Sequence, residues 1–449
     1  MPPLAYFPDG FAWGVATSAF QIEGAQDIDG RGRSIWDTFV DTPGTIRSGH
    51  TAHRAGDHYH RYREDVDLMK RLGIDTYRFS ISWPRVIPTG SGAVNQAGLD
   101  FYDHLVDTLL AAGITPMPTL FHWDLPQSLQ DKGGWLDRDT AHAFADYTAV
   151  VADRLGDRVR DWITLNEPFE HMALGHALGI HAPGKRLMLD ALPVAHHQLL
   201  GHGLAVAALR AARADRVLMV NSYTLADPAD DSEAAAAATE TYRALHHGLF
   251  TDPILLGRYP DLSALGLDVA ALPVVHDDDL AIISAPIDGL GVNYYSPTRV
   301  AAATGPLPFD LVDIPDVLTT DFGWPIVPTG LRDVLLRIGA EYGDALPPLW
   351  VTENGCSFGT EPDANGRIAD TERISYLDQH IRAVAEAIDA GADVRGYLIW
   401  SLLDNFEWAE GYHQRFGLVH VDFATGRRTP KDSFTWFADT IRAVGTPRP

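Results

Sequence analysis

The sequence predicts an α/β fold, a single (β/α)8 barrel with extended loops, as one domain over residues 1–449. Short apolar segments that end in polar or aromatic residues recur eight times, and longer segments with helical periodicity lie between them. Strands that alternate with helices form a parallel sheet, and eight such units close it into a barrel. The eight predicted strands are Phe11–Ser18, Thr76–Trp83, Thr115–Trp123, Trp162–Glu167, Val217–Tyr223, Gly289–Tyr295, Leu349–Glu353 and Gly396–Trp400.

The segments between these strands carry apolar side chains at helical spacing. Two Ala-rich segments, Ala191–Ala214 and Glu233–Phe250, are predicted as helices of the outer ring. Two long segments, Asp41–Arg54 and Ala301–Val327, are predicted as loops, and long barrel loops usually belong to the active-site face. The helical spacing is shown by Tyr62, Val66, Met69 and Leu72, by Leu105, Leu109 and Ala112, and by Leu331, Val334, Leu335 and Ile338.

The chain is strongly acidic, with 35 Lys and Arg against 60 Asp and Glu and a formal net charge of -25. This charge repels nucleic acid and anionic membranes, so neither is an expected partner. No segment approaches about 18 uninterrupted apolar residues, which argues against a membrane-spanning helix. Met1–Gly10 has no basic region and no long apolar run, so no signal peptide is predicted and a cytoplasmic location is expected.

Cys356 is the only cysteine, which excludes a disulfide within the chain. It follows Glu353 by three residues, so a thiol nucleophile has to be considered. No base that could activate the thiol is marked in the sequence. Cys356 is therefore predicted to be a small, partly buried hydrophobic residue.

Two carboxylates stand where predicted strands end. Glu353 closes the apolar run of Leu349-Trp-Val-Thr-Glu-Asn-Gly355, and Glu167 closes Trp162-Ile-Thr-Leu-Asn-Glu-Pro168. A single glutamate at a strand end is often only a solvated cap. Two of them, each beside an asparagine, resemble the paired carboxylates of a retaining glycosidase.

The carboxyl ends of barrel strands converge on one face, so the residues that end the strands are predicted neighbours. They combine carboxylates and amides, which bind hydroxyl groups, with flat aromatic rings that pack on the C–H surface of a sugar. These residues are Gln21, Arg78, His122, Trp123, Asn166, Glu167, Asn293, Tyr295, Glu353 and Trp400, with Glu407 and Trp408 just after the last strand.

Ordered motifs then show a resemblance over nearly the full length. They include Ala16-Thr-Ser-Ala-Phe-Gln-Ile-Glu-Gly24, Tyr77-Arg-Phe-Ser-Ile-Ser-Trp-Pro-Arg85, Thr164-Leu-Asn-Glu-Pro168, Val351-Thr-Glu-Asn-Gly355, Trp400-Ser-Leu-Leu-Asp-Asn-Phe-Glu-Trp408 and Arg415-Phe-Gly-Leu-Val419. The chain resembles glycoside hydrolase family 1, the β-glucosidase family. The resemblance implies a general acid/base at Glu167 and a nucleophile at Glu353, with Arg78, Asn293 and Tyr295 as supporting residues.

The same resemblance implies how the sugar is bound. Asn166 is expected to contact the 2-hydroxyl, and Glu407 the 4- and 6-hydroxyls. A carboxylate at that place argues against a 6-phosphate, because the like charges would repel in a dry pocket. Gln21, His122 and Trp408 resemble the residues that bind the 3- and 4-hydroxyls, and Trp123, Trp400 and Phe416 are further expected sugar contacts.

The leaving-group side departs from the family pattern. Many members follow Asn-Glu-Pro with tryptophan, whereas Phe169 stands here and Glu170-His171 follow. This departure leaves the preferred leaving group open. Trp324 resembles the aromatic wall of that subsite.

Three other readings can be weighed from the residues. A metal cluster at His50, His53, His58 and His60 is disfavoured, since these histidines fit a loop and the solvated start of a helix and no His-Glu-x-x-His occurs. A Schiff-base aldolase needs a lysine that ends a strand, and none of the four lysines does. A catalytically silent sugar-binding barrel would usually lack one carboxylate, and a nitrophenyl glycoside assay would separate it from an enzyme.

The sequence thus predicts a retaining β-glucosidase that acts on terminal β-D-glucosyl residues and takes part in cellulose degradation. Its expected partners are cellobiose, aryl and alkyl β-glucosides or short cello-oligosaccharides, with no metal and no cofactor. The alternative is a broad β-glycosidase that acts mainly on β-galactosides or β-fucosides. The sequence leaves open whether the chain forms a homo-oligomer.

Overall fold

The computed structural model describes residues 7–444. Residues 1–6 and 445–449 of the predicted domain lie outside the described residues, and so does most of the Met1–Gly10 segment predicted to lack a signal peptide. Within residues 7–444, no helix is both long and apolar enough to cross a membrane.

The architecture is a closed (β/α)8 TIM barrel of parallel strands, as predicted. The order around the barrel is β1-β11-β10-β7-β5-β4-β3-β2, and each of these eight strands lies within or overlaps a predicted segment. The strands of the described residues are β1 Ala12–Ala16, β2 Thr76–Ser80, β3 Thr115–Phe121, β4 Asp161–Asn166, β5 Arg216–Ser222, β6 Ala226–Pro228, β7 Gly289–Asn293, β8 Thr298–Ala302, β9 Phe309–Val312, β10 Leu349–Asn354, β11 Val394–Trp400, β12 Val419–Val421 and β13 Arg428–Pro430.

Side chains fill the barrel interior below the site. Met117, Ile163, Leu218, Trp350 and Leu398 belong to one buried apolar cluster there. A glycine makes room for the largest of them, because a Cβ on residue 396 would lie 2.6 Å from the Trp350 ring. The interior is therefore a packed core rather than a channel.

Helices surround the barrel where the apolar spacing predicts them. All four apolar residues of the first run are buried on one face of α3, and Gly73 ends that helix with a φ of +82°, which glycine adopts readily. The helices are α1 Ala19–Ile22, α2 Ile35–Val40, α3 His58–Leu72, α4 Trp83–Val86, α5 Gln96–Ala111, α6 Gln127–Gln130, α7 Asp139–Leu155, α8 Pro168–Glu170, α9 Leu192–Ala211, α10 Glu233–Arg243, α11 Leu249–Leu256, α12 Asp279–Ile283, α13 Pro328–Tyr342, α14 Thr371–Asp389 and α15 Asp432–Val444.

Two predicted segments, Glu233–Phe250 and Ala301–Val327, differ from the structure. Ala191–Ala214 contains α9 and packs in the outer ring as predicted, but Glu233–Phe250 does not form a single outer helix. It divides into α10, a π-helical segment Ala244–Gly248 and the start of α11, and α10 packs on a small sheet of β6, β8 and β9. The predicted loop Ala301–Val327 contributes β9, which pairs antiparallel with β8. This small sheet covers one side of the barrel mouth.

Candidate active site

The carboxyl ends of the barrel strands surround a cavity of about 580 Å³. Ten predicted site residues form part of its wall: His122, Trp123, Glu167, Tyr295, Trp324, Glu353, Trp400, Glu407, Trp408 and Phe416. Behind the wall lie Gln21, Arg78, Asn166 and Asn293, all buried. Phe169 is half-buried outside the wall, and its ring stacks on the wall residue His246 with centroids 4.2 Å apart.

Glu353 lies near the end of β10 and is held by two donors. Arg78 Nη1 donates to Oε1 at 2.5 Å, and the Tyr295 hydroxyl donates to Oε2 at 2.6 Å. Both side chains of the Arg78–Glu353 ion pair are almost completely buried. Burial and the charge of Glu353 raise the pKa of Tyr295 well above its usual range, so its hydroxyl stays a donor. A cation and a phenol thus hold the two carboxylate oxygens of Glu353 in position.

Glu167 sits between β4 and α8, where its φ of +43° lies in the left-handed region. Pro168 begins α8 immediately afterwards, so the chain turns sharply at this carboxylate. Asn293 Nδ2 donates to Oε1 at 3.0 Å, and Asn166 Nδ2 donates to Oε2 at 3.3 Å. Burial, followed by the charge of Glu353, raises the pKa of Glu167 well above its ordinary value. The two carboxylates therefore differ in environment, and burial beside a negative charge stabilises the protonated form of Glu167.

A hydrogen-bond network links the surroundings of the two glutamates. Arg78 Nη2 donates to Asn166 Oδ1 at 2.5 Å, so one guanidinium contacts both Glu353 and Asn166. Asn293 Nδ2 lies 3.1 Å from the same Asn166 oxygen, and Thr352 Oγ1 donates to Asn293 Oδ1 at 2.7 Å. Side chains from β2, β4, β7 and β10 thus hold each other in one orientation.

Aromatic rings form the deeper wall. The His122 and Trp400 rings stack with centroids 5.8 Å apart, and Trp123 packs on Trp408 at 4.8 Å. Burial, together with the charge of Arg78, lowers the pKa of His122 well below its usual range, so the imidazole is neutral. Its Nε2 lies 3.2 Å from Asn166 Nδ2 and accepts from it. This wall offers flat apolar faces with neutral polar edges.

Glu407 brings a third carboxylate to the wall. Gln21 Nε2 donates to its Oε2 at 3.3 Å and to Asn405 Oδ1 at 3.1 Å, and Ser18 Oγ donates to Gln21 Oε1 at 2.6 Å. Burial and the charge of Glu353 raise the pKa of Glu407 to about 8. Gln21 and Glu407 thus come together as neighbours although 386 residues separate them in sequence.

Further wall residues escaped the sequence reasoning. Glu170 was visible, three residues after Glu167, but it ends no strand. Ser222 and Tyr223 end the predicted strand Val217–Tyr223, so the strand-end rule could have found them. The others come from loops, from the small sheet and from the α10–α11 region, where that rule does not apply. They are Leu174, Ile180, His181, Thr224, Tyr242, His246, Ser296, Thr298, Phe322, Ala409 and Glu410.

The structure also shows where the residues of the two alternative sites lie, namely the Cys356 thiol and the histidines considered as a metal cluster. Cys356 is completely buried rather than partly buried, and burial raises the pKa of its thiol to about 12, which agrees with a hydrophobic residue rather than a thiol nucleophile. The expected solvated helix start is wrong for His58, which is buried with Nδ1 2.7 Å from Asp65 Oδ2. Among residues 7–444, no three His, Cys, Asp or Glu side chains are grouped so that they could hold a metal ion.

Two carboxylates of unequal environment, in an aromatic cavity at the carboxyl ends of (β/α)8 strands, define a barrel glycosidase. The sequence profile described as Glycosyl hydrolase family 1 matches residues 4–446. The chain belongs to this family and is a glycoside hydrolase.

Similar proteins support this assignment. The thermostable beta-glucosidase B of Thermobispora bispora is 49% identical over 98% of this chain and 91% of its own length. A bifunctional beta-D-glucosidase/beta-D-fucosidase of Bifidobacterium breve is 44% identical over 96% and 97%. The solved beta-glucosidase of Thermotoga maritima in complex with glucoimidazole superposes with a TM-score of 0.94 at 44% identity, covering 98% of this chain and 100% of that one.

Proposed function

We propose that this chain is a retaining β-glucosidase that removes terminal β-D-glucosyl residues by double displacement. The observation that carries the proposal is the unequal holding of the two carboxylates. Glu353 faces a buried cation and a phenol, whereas Glu167 faces amide donors and has a raised pKa. A retaining glycosidase needs one ionised and one protonated carboxyl group, about 5–5.5 Å apart.

In the first step, Glu353 attacks the anomeric carbon while Glu167 gives its proton to the leaving oxygen. The bond from the anomeric carbon to that oxygen breaks, and an ester bond between the sugar and Glu353 forms. Arg78 and Tyr295 hold the attacking carboxylate, so little reorganisation accompanies the attack. Burial of both carboxylates excludes water until the leaving group departs.

In the second step, Glu167 is the base. It takes a proton from a water molecule, whose oxygen attacks the anomeric carbon as the ester bond to Glu353 breaks. Glu353 leaves as a carboxylate into the same contacts with Arg78 and Tyr295. The product has the β configuration of the substrate, because two displacements on opposite faces restore it.

Contacts to the sugar are assigned to the wall and to the polar side chains directly behind it. We assign the 2-hydroxyl to Asn166, whose NH2 group now makes contacts of 3.2 and 3.3 Å that a hydroxyl can replace. Gln21, His122 and Trp408 bind the 3- and 4-hydroxyls, Glu407 binds the 4- and 6-hydroxyls, and Trp400 stacks on the ring. β-D-Fucosides lack the 6-hydroxyl and have an axial 4-hydroxyl, but they keep the contacts at the 2- and 3-hydroxyls, which fits a secondary β-fucosidase activity like that of the Bifidobacterium breve relative.

Azide rescue tests the two roles. Glu353→Ala is expected to abolish hydrolysis, and azide should restore turnover of 2,4-dinitrophenyl β-glucoside as the α-glucosyl azide. Glu167→Ala is expected to cleave the same activated substrate slowly, with azide giving the β-glucosyl azide. The anomers are read by NMR. Reversed anomers would mean that the two roles are exchanged, and rescue of neither variant would contradict double displacement.

A further inference from the structure

One side of the cavity is polar and lies next to Glu167. Its polar side chains, named here the polar wall, are Glu170, Ser222, Thr224, Tyr242, His246 and Thr298. Glu170 ends α8, the short helix Pro168–Glu170 that Glu167 immediately precedes, so the two carboxylates lie on one short segment. Because Glu167 protonates the departing oxygen in the proposed reaction, the polar wall faces the leaving group.

His246 lies beside Glu170 in the polar wall. Its Nε2 lies 3.5 Å from Glu170 Oε1, and its Nδ1 lies 2.7 Å from the Tyr242 hydroxyl. His246 is only 5% exposed, and within residues 7–444 its Nε2 makes no hydrogen bond, so its 3.5 Å contact with Glu170 is an electrostatic one. His246 belongs to the π-helical segment Ala244–Gly248, and such segments are frequent at functional sites. A polar group of a ligand can complete the contacts of this nitrogen.

Glu170 brings a permanent negative charge to this wall. Burial alone would raise the pKa of Glu170, but its contacts with His246 and Ser222 outweigh burial and hold the pKa below its ordinary value. The cavity wall also carries Glu167, Glu353, Glu407 and Glu410, and no lysine or arginine of residues 7–444 forms part of it. Glu353 pairs with Arg78 and Glu410 pairs with Arg47, and the pKa values of Glu167 and Glu407 are raised. Within residues 7–444, Glu170 is therefore the wall carboxylate that has a lowered pKa and no lysine or arginine beside it.

We propose that Glu170, held by His246, determines leaving-group specificity: it favours hydroxylated or positively charged leaving groups and disfavours those with a carboxylate, sulfate or phosphate. The inference rests on the proposed function, because it requires a glycoside as substrate. An ammonium group on the leaving group would pair with the Glu170 carboxylate. A carboxylate there would be repelled by the Glu170 carboxylate.

The test uses three phenyl β-glucosides with a 4-aminomethyl, 4-hydroxymethyl or 4-carboxymethyl group. A methylene insulates each charge from the phenol, so the three leaving groups have similar reactivity. For the wild-type enzyme, kcat/KM should be highest for the cationic and lowest for the anionic substrate. In Glu170→Gln, kcat/KM relative to the neutral substrate should fall about tenfold for the cation and rise about tenfold for the anion, as a charge about 6 Å away in a half-buried site implies.

In each variant, the kcat/KM of a charged substrate is divided by the kcat/KM of the neutral substrate. This ratio cancels any change in the proton affinity of Glu167. Glu410→Gln is the matched control, because Glu410 also borders the cavity but pairs with Arg47 at 2.8 Å. Its charge ratios should stay within about threefold of the wild type. An equal change in both variants would assign the effect to the general field of the cavity and overturn the role of Glu170.

Two further outcomes keep the inference separable from the proposed function. If the wild type hydrolyses the neutral substrate without preferring the cation to the anion, the specificity role is wrong while the glucosidase stands. If the neutral glucoside is not hydrolysed at all, both proposals fail. Glu170→Asp keeps the charge and should keep the wild-type ratios, which distinguishes charge from packing even if Glu170→Gln folds poorly.

Discussion

The substitution Tyr295→Phe tests most directly how the Tyr295 hydroxyl stabilises the Glu353 carboxylate during the proposed reaction. The substitution removes one hydroxyl, whose oxygen lies 2.6 Å from Glu353 Oε2, and leaves the ring in place. A hydrogen bond to a charged group contributes about 1.5–3 kcal/mol. The second step is the more sensitive one, because Glu353 then regains its negative charge as it leaves the sugar. We therefore expect this step to slow by about 10- to 150-fold.

The assay is stopped-flow and steady-state hydrolysis of 2,4-dinitrophenyl β-glucoside, whose leaving group departs readily. Slower breakdown of the glucosyl-enzyme should lower kcat and KM together, while kcat/KM changes much less. A burst of dinitrophenolate should become visible, since the intermediate accumulates.

Tyr294→Phe is the matched control. It removes the hydroxyl of the adjacent buried tyrosine, which donates to the Val327 carbonyl at 3.0 Å and touches neither carboxylate. Its kcat should stay within about twofold of the wild type, since a neutral hydrogen bond that touches neither carboxylate affects stability rather than chemistry. An unchanged kcat in Tyr295→Phe, or an equal loss in both variants, would refute the assignment of Tyr295.

Three other outcomes are expected. The raised pKa of Glu167, due to burial and to the charge of Glu353, means that the acid works below that pKa and fails as pH rises through it. A pH series should therefore show an alkaline fall in kcat/KM for phenyl β-glucoside and none for the 2,4-dinitrophenyl substrate, which needs no proton. A 6-phospho-β-glucoside should be hydrolysed at least about 100-fold less efficiently than the matching glucoside, because its phosphate would face Glu407 in a wall to which no lysine or arginine of residues 7–444 contributes; equal kcat/KM values would contradict the placement of that carboxyl group. Dialysis against a chelator should leave kcat unchanged, and a loss restored by added metal would reject the metal-independent mechanism.

The barrel could be predicted from the sequence because each strand is a local signal. An apolar run such as Leu349–Asn354 is buried along its full length and ends at a turn, so both its type and its end are visible in the sequence. The convergence of strand ends then follows from the closed topology alone. That geometry explains why residues as distant as Gln21 and Glu407 were expected together.

The small sheet and most of the polar wall could not be predicted in the same way, although Ser222 ends a barrel strand. Ala226–Pro228 has only three residues, and its pairing with β8 depends on tertiary contacts rather than on its own pattern. His246 lies in a π-helical segment, where a spacing of 3.6 residues does not show which side chains face inward. The burial of His58 was missed for a related reason, since its partner Asp65 lies seven residues on along α3 and marks no motif.

The Arg78 guanidinium contacts two residues of the site at once, and this limits which positions can change when the substrate specificity evolves. Because one guanidinium serves both Glu353 and Asn166, a change at any of the three positions disturbs the others, and the losses should be non-additive. Adaptation to a new glycoside is therefore blocked at these inner positions. Adaptation remains possible at Phe169 and His246, which lie outside the Arg78 hydrogen-bond network and can be substituted without disturbing it.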